Sequence, residues 1–410
     1  MEKVAVIGSG ISGLTAAYYL RNRYEVTVFE ADDRLGGHSH THQVSVEGHE
    51  LNVDTGFIVF NDRTYPNFIR LMDSLGITSS ATEMSFSVSG RGVEYNGHNL
   101  NTLFADRSNL LRPSFLRMVR DIIKFNREAR ELNEFENALD VGTYLEINQY
   151  SDEFCRHYLL PMAAAIWSTG TGSITKFPVA ALVRFFDHHG LMDLRDRPQW
   201  KVIDGGSNVY VQNIVSKIKD VRLSSPVVLV KRGAEEVEVV TPEGRESFDY
   251  LVVATHSDQA LELLSDQNDA ERDILGRMKY TYNKVKLHTD LSIMPERRRA
   301  WASWNYHLDR GDGQASLTYY MNRLQGLSLA TPVLVTLNDA GLIDEEKIIA
   351  VTEYDHPFYN HDMLSAQENW SEISGKRRTH FAGAYWRNGF HEDGVVSALR
   401  VCRQLGVDTC

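Results

Sequence analysis

Val4-Ala5-Val6-Ile7-Gly8-Ser9-Gly10-Ile11-Ser12-Gly13 lies almost at the start of the chain, and its reading decides the fold. An apolar run closed by glycine has the pattern of a strand buried on both faces, as in a parallel sheet. Leu14-Thr15-Ala16-Ala17-Tyr18-Tyr19-Leu20 then reads as a helix, and Glu25-Val26-Thr27-Val28-Phe29 as a second strand ending at Glu30. Strand, G-x-G-x-x-G turn, helix, strand and acidic residue in this register make a dinucleotide-binding unit. Gly8 permits the tight turn, Gly10 lets the backbone approach a pyrophosphate, and Gly13 lets the helix pack on the strand. Ile11 and Ser12 begin the helix, whose first N–H groups lack intrahelical partners and attract phosphate. Glu30 is placed to accept hydrogen bonds from ribose hydroxyls and to repel a 2′-phosphate.

Glu30-Ala31-Asp32-Asp33-Arg34-Leu35-Gly36-Gly37 extends this unit in the form ExxxRxGG. It resembles the extended motif of the FAD-binding superfamily that includes flavin amine oxidases, phytoene desaturases and protoporphyrinogen oxidases. The resemblance implies FAD rather than NAD, with Ala31, Arg34, Gly36 and Gly37 continuing the pyrophosphate and ribityl site. Many relatives carry a basic residue after the glycine pair. This chain has His38, which weakens charge complementarity to phosphate at neutral pH.

The resemblance spans the chain in three blocks. Gly56 and Phe57, after Asn52-Val53-Asp54-Thr55, resemble the segment beside the isoalloxazine ring. Val227 is similar to the residue whose backbone pairs with adenine, and Ala254 ends a buried strand where the cofactor would pass. Gly383 through Gly394, with Phe390 and His391 between them, resembles the C-terminal FAD motif. There a helix N-terminus faces the flavin and favours negative charge on its reduced form. No cysteine lies shortly before that motif, which implies non-covalent FAD.

These blocks predict an α/β fold with a discontinuous Rossmann-like FAD-binding lobe. That lobe takes residues 1–83, 200–278 and 370–410. Residues 84–199, mostly helical, and 279–369, alternating like sheet from Lys284 onward, form an α+β substrate lobe with a mixed sheet.

With 410 residues, the chain is long enough for two such lobes. A net charge of −12 argues against nucleic acid as a partner. Three cysteines, Cys155, Cys402 and Cys410, point to a reducing compartment. No apolar run reaches the roughly 18 residues of a membrane span, and the first strand leaves no room for a signal peptide, so a cytoplasmic location is expected. His38-Ser39-His40-Thr41-His42 alternates, yet a strand leaving the flavin loop explains it better than metal ligation, and no metal is expected.

Two stretches bear on the substrate. Tyr158 to Trp167 and Phe177 to Phe186 are apolar enough to wall a greasy tunnel, or to be plain helical core. Leu110 to Arg130 reads as an amphipathic helix capped by Ser114. Phe115, Met118, Val119, Ile122 and Ala129 fall on one side, and Arg117, Arg120, Lys124, Arg127 and Arg130 dominate the rest. Such a helix in an acidic protein suits either an anionic membrane surface at the inner membrane face or a core with a solvated basic side.

Asp54-Thr55-Gly56-Phe57-Ile58-Val59-Phe60-Asn61, Trp301-Ala302-Ser303-Trp304-Asn305-Tyr306 and Gly389-Phe390-His391-Glu392-Asp393-Gly394 resemble a narrower group. These are bacterial FAD proteins associated with cyclopropane-fatty-acid-synthase-like methyltransferases, and the likeness extends to the extra N-terminal domain of some plant cyclopropane synthases. Members with assigned roles desaturate methyl-branched acyl chains of phospholipids on the way to furan fatty acids. The resemblance implies an oxidoreductase taking hydride from a phospholipid acyl chain, with such a methyltransferase as partner. A flavin-dependent double-bond isomerase, an amine oxidase and a non-catalytic flavoprotein partner remain alternatives. Phe390 stands where amine oxidases carry a cage tyrosine. His391, Tyr319 and Lys286 are the expected proton-handling residues, His391 first because imidazole titrates near neutrality.

Overall fold

The computed structural model describes residues 1–193, 197–308 and 314–409, so Cys410 lies outside the described residues. Five strands run parallel in the order Asp220–Arg222, Glu25–Phe29, Lys3–Ile7, Tyr250–Val253 and Thr379–Phe381. Val4, Ala5 and Val6 are fully buried, as a central strand requires. The helix Ile11–Leu20 covers one face of this sheet, and the final helix His391–Gln404 packs against it. Sheet on one side and helix on the other explain why almost every residue of Ile11–Leu20 is buried. A Cβ at Gly394 would come within 2.6 Å of Ile11 Cγ2, so this glycine sets the approach of the two helices.

A second, seven-stranded sheet has the order Ile348–Phe358, Lys279–His288, Leu334–Leu337, Leu317–Tyr320, Trp304–His307, Phe86–Gly90 and Val93–Asn96. Trp304–His307 and Phe86–Gly90 pair parallel; the other neighbours are antiparallel. The fold is therefore α/β, a Rossmann-like sheet joined to an α+β part with a mixed sheet. The strands of the parallel sheet come from residues 3–29, 220–253 and 379–381, and those of the mixed sheet from 86–96 and 279–358.

Asp54 ties separate segments together. Its carboxylate accepts hydrogen bonds from Thr41 Oγ1, from the N–H and Oγ of Ser207, and from Gln325 Nε2. Burial nevertheless pushes its pKa up to about 6.

The basic helix differs from expectation at its start. It runs Pro113–Glu128 with Arg112 as N-cap and no capping side chain, in place of Ser114. Proline fits the first helical position because that position's N–H has no intrahelical partner anyway. Phe115, Met118, Phe125 and Ala129 are buried, so the apolar side of the periodicity is the core side. The strand expected from Trp301 begins at Trp304, and the alternating histidines enter a strand only at Thr41.

Candidate functional site

A cavity of about 860 Å³ runs from the first glycine loop, past the N-terminus of the final helix, to the mixed sheet. Gly8, Gly10, Ile11, Ser12, Glu30, Ala31, Arg34, Gly36, Gly37, His38, Gly56, Phe57, Val227, Ala254, Gly383, Phe390, His391 and Tyr319 all line it. Gly13, Gly394 and Lys286 do not.

Gly8 has φ +100°, a conformation that favours glycine. A Cβ at Gly13 would stand 1.9 Å from the Gly8 carbonyl oxygen, whereas one at Gly10 would meet nothing within 4 Å. Gly13 thus closes helix on strand, and Gly10 leaves open space in front of the helix. The helix N-cap is Gly10, with no side chain capping the first turn, so its N–H groups are available to an anion. Glu30 Oε2 accepts from both the N–H and the Oγ of Ser9, and Oε1 accepts from the Asp32 N–H. The acidic residue therefore braces the glycine loop as well as facing the cavity. Arg34 Nη1 donates to the Gly37 carbonyl at 2.8 Å and holds the second glycine loop.

At the other end, His391 stacks on Phe57 with ring centroids 3.5 Å apart. Its Nε2 lies 2.9 Å from Ser39 Oγ and 3.2 Å from the Tyr210 hydroxyl, and those two hydroxyls also bond each other. Burial pulls the imidazole down to about 3, so it is neutral at physiological pH. The expectation that His391 titrates near neutrality is corrected: it is a packed, hydrogen-bonded wall. Tyr319 packs edge-on to Trp304, and burial drives its phenol far above its usual range, leaving a protonated donor. Lys286 Nζ forms an ion pair with Asp339 at 2.8 Å, away from the cavity.

Around His38 the fold gathers rings that had no sequence signal: His38 stacks on Tyr354 at 4.9 Å and lies 5.3 Å from His356 and 6.1 Å from His256. Burial first, then the neighbouring histidines, hold His38 well below the usual imidazole range. Glu392 accepts hydrogen bonds from the N–H groups of Asn67 and Phe68 and caps the helix Pro66–Leu75, locking the C-terminal segment onto the N-terminal one. Among the described residues, no group of three or more His, Cys, Asp or Glu side chains could hold a metal.

The inner wall is aromatic and apolar. Phe390 stacks on Phe185 at 4.9 Å, with Trp167 and His189 beside them, and Met84, Phe86, Met162 and Ile166 complete the surface. Of the two greasy stretches, Tyr158, Met162, Ile166, Trp167 and Phe185 reach the cavity, while Leu159, Val179, Leu182 and Phe186 are core. Trp167 Nε1, Trp304 Nε1 and the Tyr359 hydroxyl belong to lining residues, are buried, and have no hydrogen-bond partner among the described residues. Buried polar atoms are normally paired, so a wall carrying these suits a bound molecule.

Residues 11–353 match the model of the flavin containing amine oxidoreductase family. The chain belongs to this family. As a flavin amine oxidoreductase it uses FAD, and the open helix N-terminus, paired glycine loops and Glu30 fit that cofactor. A putative flavin-containing monoamine oxidase of Mycobacterium tuberculosis is 25% identical over 261 residues, 61% of this chain and 56% of that protein. A flavin-dependent L-tryptophan oxidase of Lentzea aerocolonigenes is 23% identical, over 59% of this chain and 55% of its own length. The chain thus spans about half the length of the curated relatives it matches. In fold, it superposes on a putative protoporphyrinogen oxidase from Exiguobacterium with TM-score 0.73, at 16% identity, covering 100% and 99% of the two chains. A fatty acid isomerase from P. acnes that produces CLA gives TM-score 0.69 at 16% identity, covering 98% of each chain.

Replacing Glu30 by Ala is expected to weaken FAD binding by roughly 1.5–3 kcal/mol, the loss of hydrogen bonds to a charged group. Titration of apoprotein with FAD, followed by flavin fluorescence, reads this directly. Ser9→Ala loosens the loop but keeps the carboxylate, so equal losses in both variants would assign the effect to the loop alone.

Proposed function

We propose that this flavin amine oxidoreductase oxidises a lipid acyl chain, with the flavin taking a hydride from an allylic or methyl-branched carbon of a phospholipid fatty acyl group and the neighbouring carbon releasing a proton to solvent, which leaves a double bond. The carrying observation is the inner cavity wall: Met84, Phe86, Met162, Ile166, Phe185 and Phe390 offer a carbon chain contact without a charged partner. A fold neighbour is a fatty acid isomerase, so the architecture is compatible with such a substrate.

Bound non-covalently, FAD supplies the hydride acceptor. Gly8, Gly10, Glu30 and Arg34 hold the nucleotide end. Phe57 and His391 form a rigid wall at the ring end, and Tyr319 presents a protonated phenol. The apolar wall excludes water and orients the chain.

A redox-neutral double-bond isomerisation is a second reading, favoured by one observation. None of the three expected proton-handling residues presents a free base to the cavity: His391 is hydrogen-bonded and held near 3, Tyr319 stays protonated, and Lys286 lies outside the lining in an ion pair with Asp339. Returning the hydride to another carbon needs no base.

Anaerobic mixing of holoprotein with methylated and unmethylated acyl phospholipids, then with simple amines, tests the proposal. Desaturation bleaches the flavin and adds a double bond seen by lipid mass spectrometry. Isomerisation changes the lipid with no net bleaching. Bleaching by amines, with no lipid altered, overturns the acyl reading. Co-expression with a cyclopropane-synthase-like methyltransferase, the proposed source of branched chains, supplies the matching lipid pool.

A further inference from the structure

We infer that residues 100–127 form a docking surface for an anionic lipid bilayer. The outward stripe of the helix Pro113–Glu128 runs Leu116, Arg120, Ile123 and Arg127, spaced as one helical row. Leu116 is 45% and Ile123 58% exposed, and beside them Leu111 is 88%, Leu110 49% and Leu100 75% exposed. Isolated apolar residues on a surface need no explanation, but five large aliphatic side chains within one short segment do. These residues are not the apolar side of the helical periodicity, because Phe115, Met118 and Phe125 already fill the core.

Charge selects the occupant. In a chain of net charge −12, residues 100–127 hold six basic residues against two acidic ones. Arg112 donates to the Gly92 carbonyl and Asn109 Oδ1, and Arg107 to Asn101 Oδ1, neutral acceptors that leave their charge in place. Arg120 and Arg127 pair with their neighbours Asp121 and Glu128 while 73% and 76% exposed. The Arg127–Glu128 pair is exposed on both sides and therefore weak, while Arg120 leans on the buried Asp121 and keeps most of its own side chain in solvent. Leucines interleaved with arginines match a leaflet whose surface is negative and whose interior is apolar.

The surface also adjoins the cavity. Tyr95, Gly97 and His98 line the cavity and lead directly into Leu100, and the Tyr95 ring packs on Phe115 of the basic helix at 5.7 Å. This inference deepens the acyl-chain reading by naming where the substrate is met, yet binding is measurable without turnover.

The test is co-sedimentation of holoprotein with vesicles of equal parts phosphatidylglycerol and phosphatidylcholine, and with phosphatidylcholine alone. Binding is expected to the first, to weaken with added salt, and to be weak to the second. Replacing Arg112, Arg120 and Arg127 together by Ser is expected to weaken binding about a hundredfold. Replacing Leu111, Leu116 and Ile123 together by Ser should weaken it by about tenfold or more at unchanged salt dependence. All six side chains point to solvent, so flavin absorbance and Tm should stay at the parent values in both variants. Parent-like binding by either variant, or no binding by the parent, overturns the inference. So does a parent dimer that the leucine-to-serine variant turns into a monomer, since the patch then faces a second copy. Lost vesicle binding with retained bleaching by detergent-dispersed lipid sinks the surface alone; the opposite result sinks the acyl substrate alone.

Discussion

Adding one methyl group at position 13 is expected to abolish FAD binding. In Gly13→Ala the new Cβ would sit 1.9 Å from the Gly8 carbonyl oxygen, 3.0 Å from its carbon and 3.2 Å from Ala254 Cβ. The first two are backbone atoms of the nucleotide loop itself, so relief of the clash must displace that loop or the helix behind it. Overpacking of this kind costs about 1–3 kcal/mol in stability, and the displaced loop no longer presents its N–H groups to phosphate. We expect FAD affinity to fall by more than a hundredfold, equivalent to about 3 kcal/mol. Gly10→Ala is the informative companion. Its Cβ meets nothing within 4 Å in the protein, so the apoprotein should melt at the parent temperature. The methyl group would nevertheless occupy the space in front of the helix N-terminus, and FAD affinity should fall on the order of tenfold. Calorimetry of the apoproteins and fluorescence titration with FAD separate the two effects. A Gly13→Ala protein that purifies yellow with parent affinity would refute this account of the loop.

The parts of this site legible in the sequence are those whose chemistry is local. Gly8, Gly10 and Gly13 sit at fixed offsets between an apolar strand and a helix, and one segment contains the whole argument. The ring end is different. His391 stands within a recognisable motif, but it is buried against Ser39 and Tyr210, 352 and 181 residues away. Burial among them lowers its basicity, and no spacing rule carries that information. Lys286 shows the same gap: strand alternation gives it a side, and only the fold supplies Asp339 as its partner. For the basic helix, periodicity defines an apolar side without saying whether core or lipid covers it. Packing of Phe115 and Phe125 answers core, and it leaves Leu116 and Ile123 outside, off the apolar side that helical spacing defines. Pro113 was a readable start signal, since proline prefers the first helical position over the interior.

Acidification from neutral pH should destabilise the apoprotein steeply, and the direction follows from buried imidazoles. Burial holds His189, His288 and His356 near 4 and His391 near 3, against 6.5 for a free imidazole. His38 is lowered in the same sense. Between about pH 6.5 and 4 the unfolded chain binds protons that the folded chain refuses, so stability present above 6.5 is lost as pH falls. Asp54 and Asp393 act the other way. Burial raises both to about 6, so in the same window the folded state binds their protons first and gains stability on acidification. With His40, also lowered to about 3, five imidazoles outweigh two carboxyls, a net of three protons favouring the unfolded state. At about 1.4 kcal/mol per proton and pH unit, the slope is on the order of 4 kcal/mol per unit. Over two units that is comparable with the roughly 5–15 kcal/mol total stability of a typical protein. Urea midpoints at about pH 7.5, 6 and 5 measure it. Asp54→Asn should remove part of the opposing contribution and steepen the loss, at some cost in hydrogen bonding to Ser207 and Thr41. Midpoints that stay level or rise on acidification would mean that the buried imidazoles gain protons without unfolding, and that the wall built by His391 and Phe57 opens to water well before the fold does.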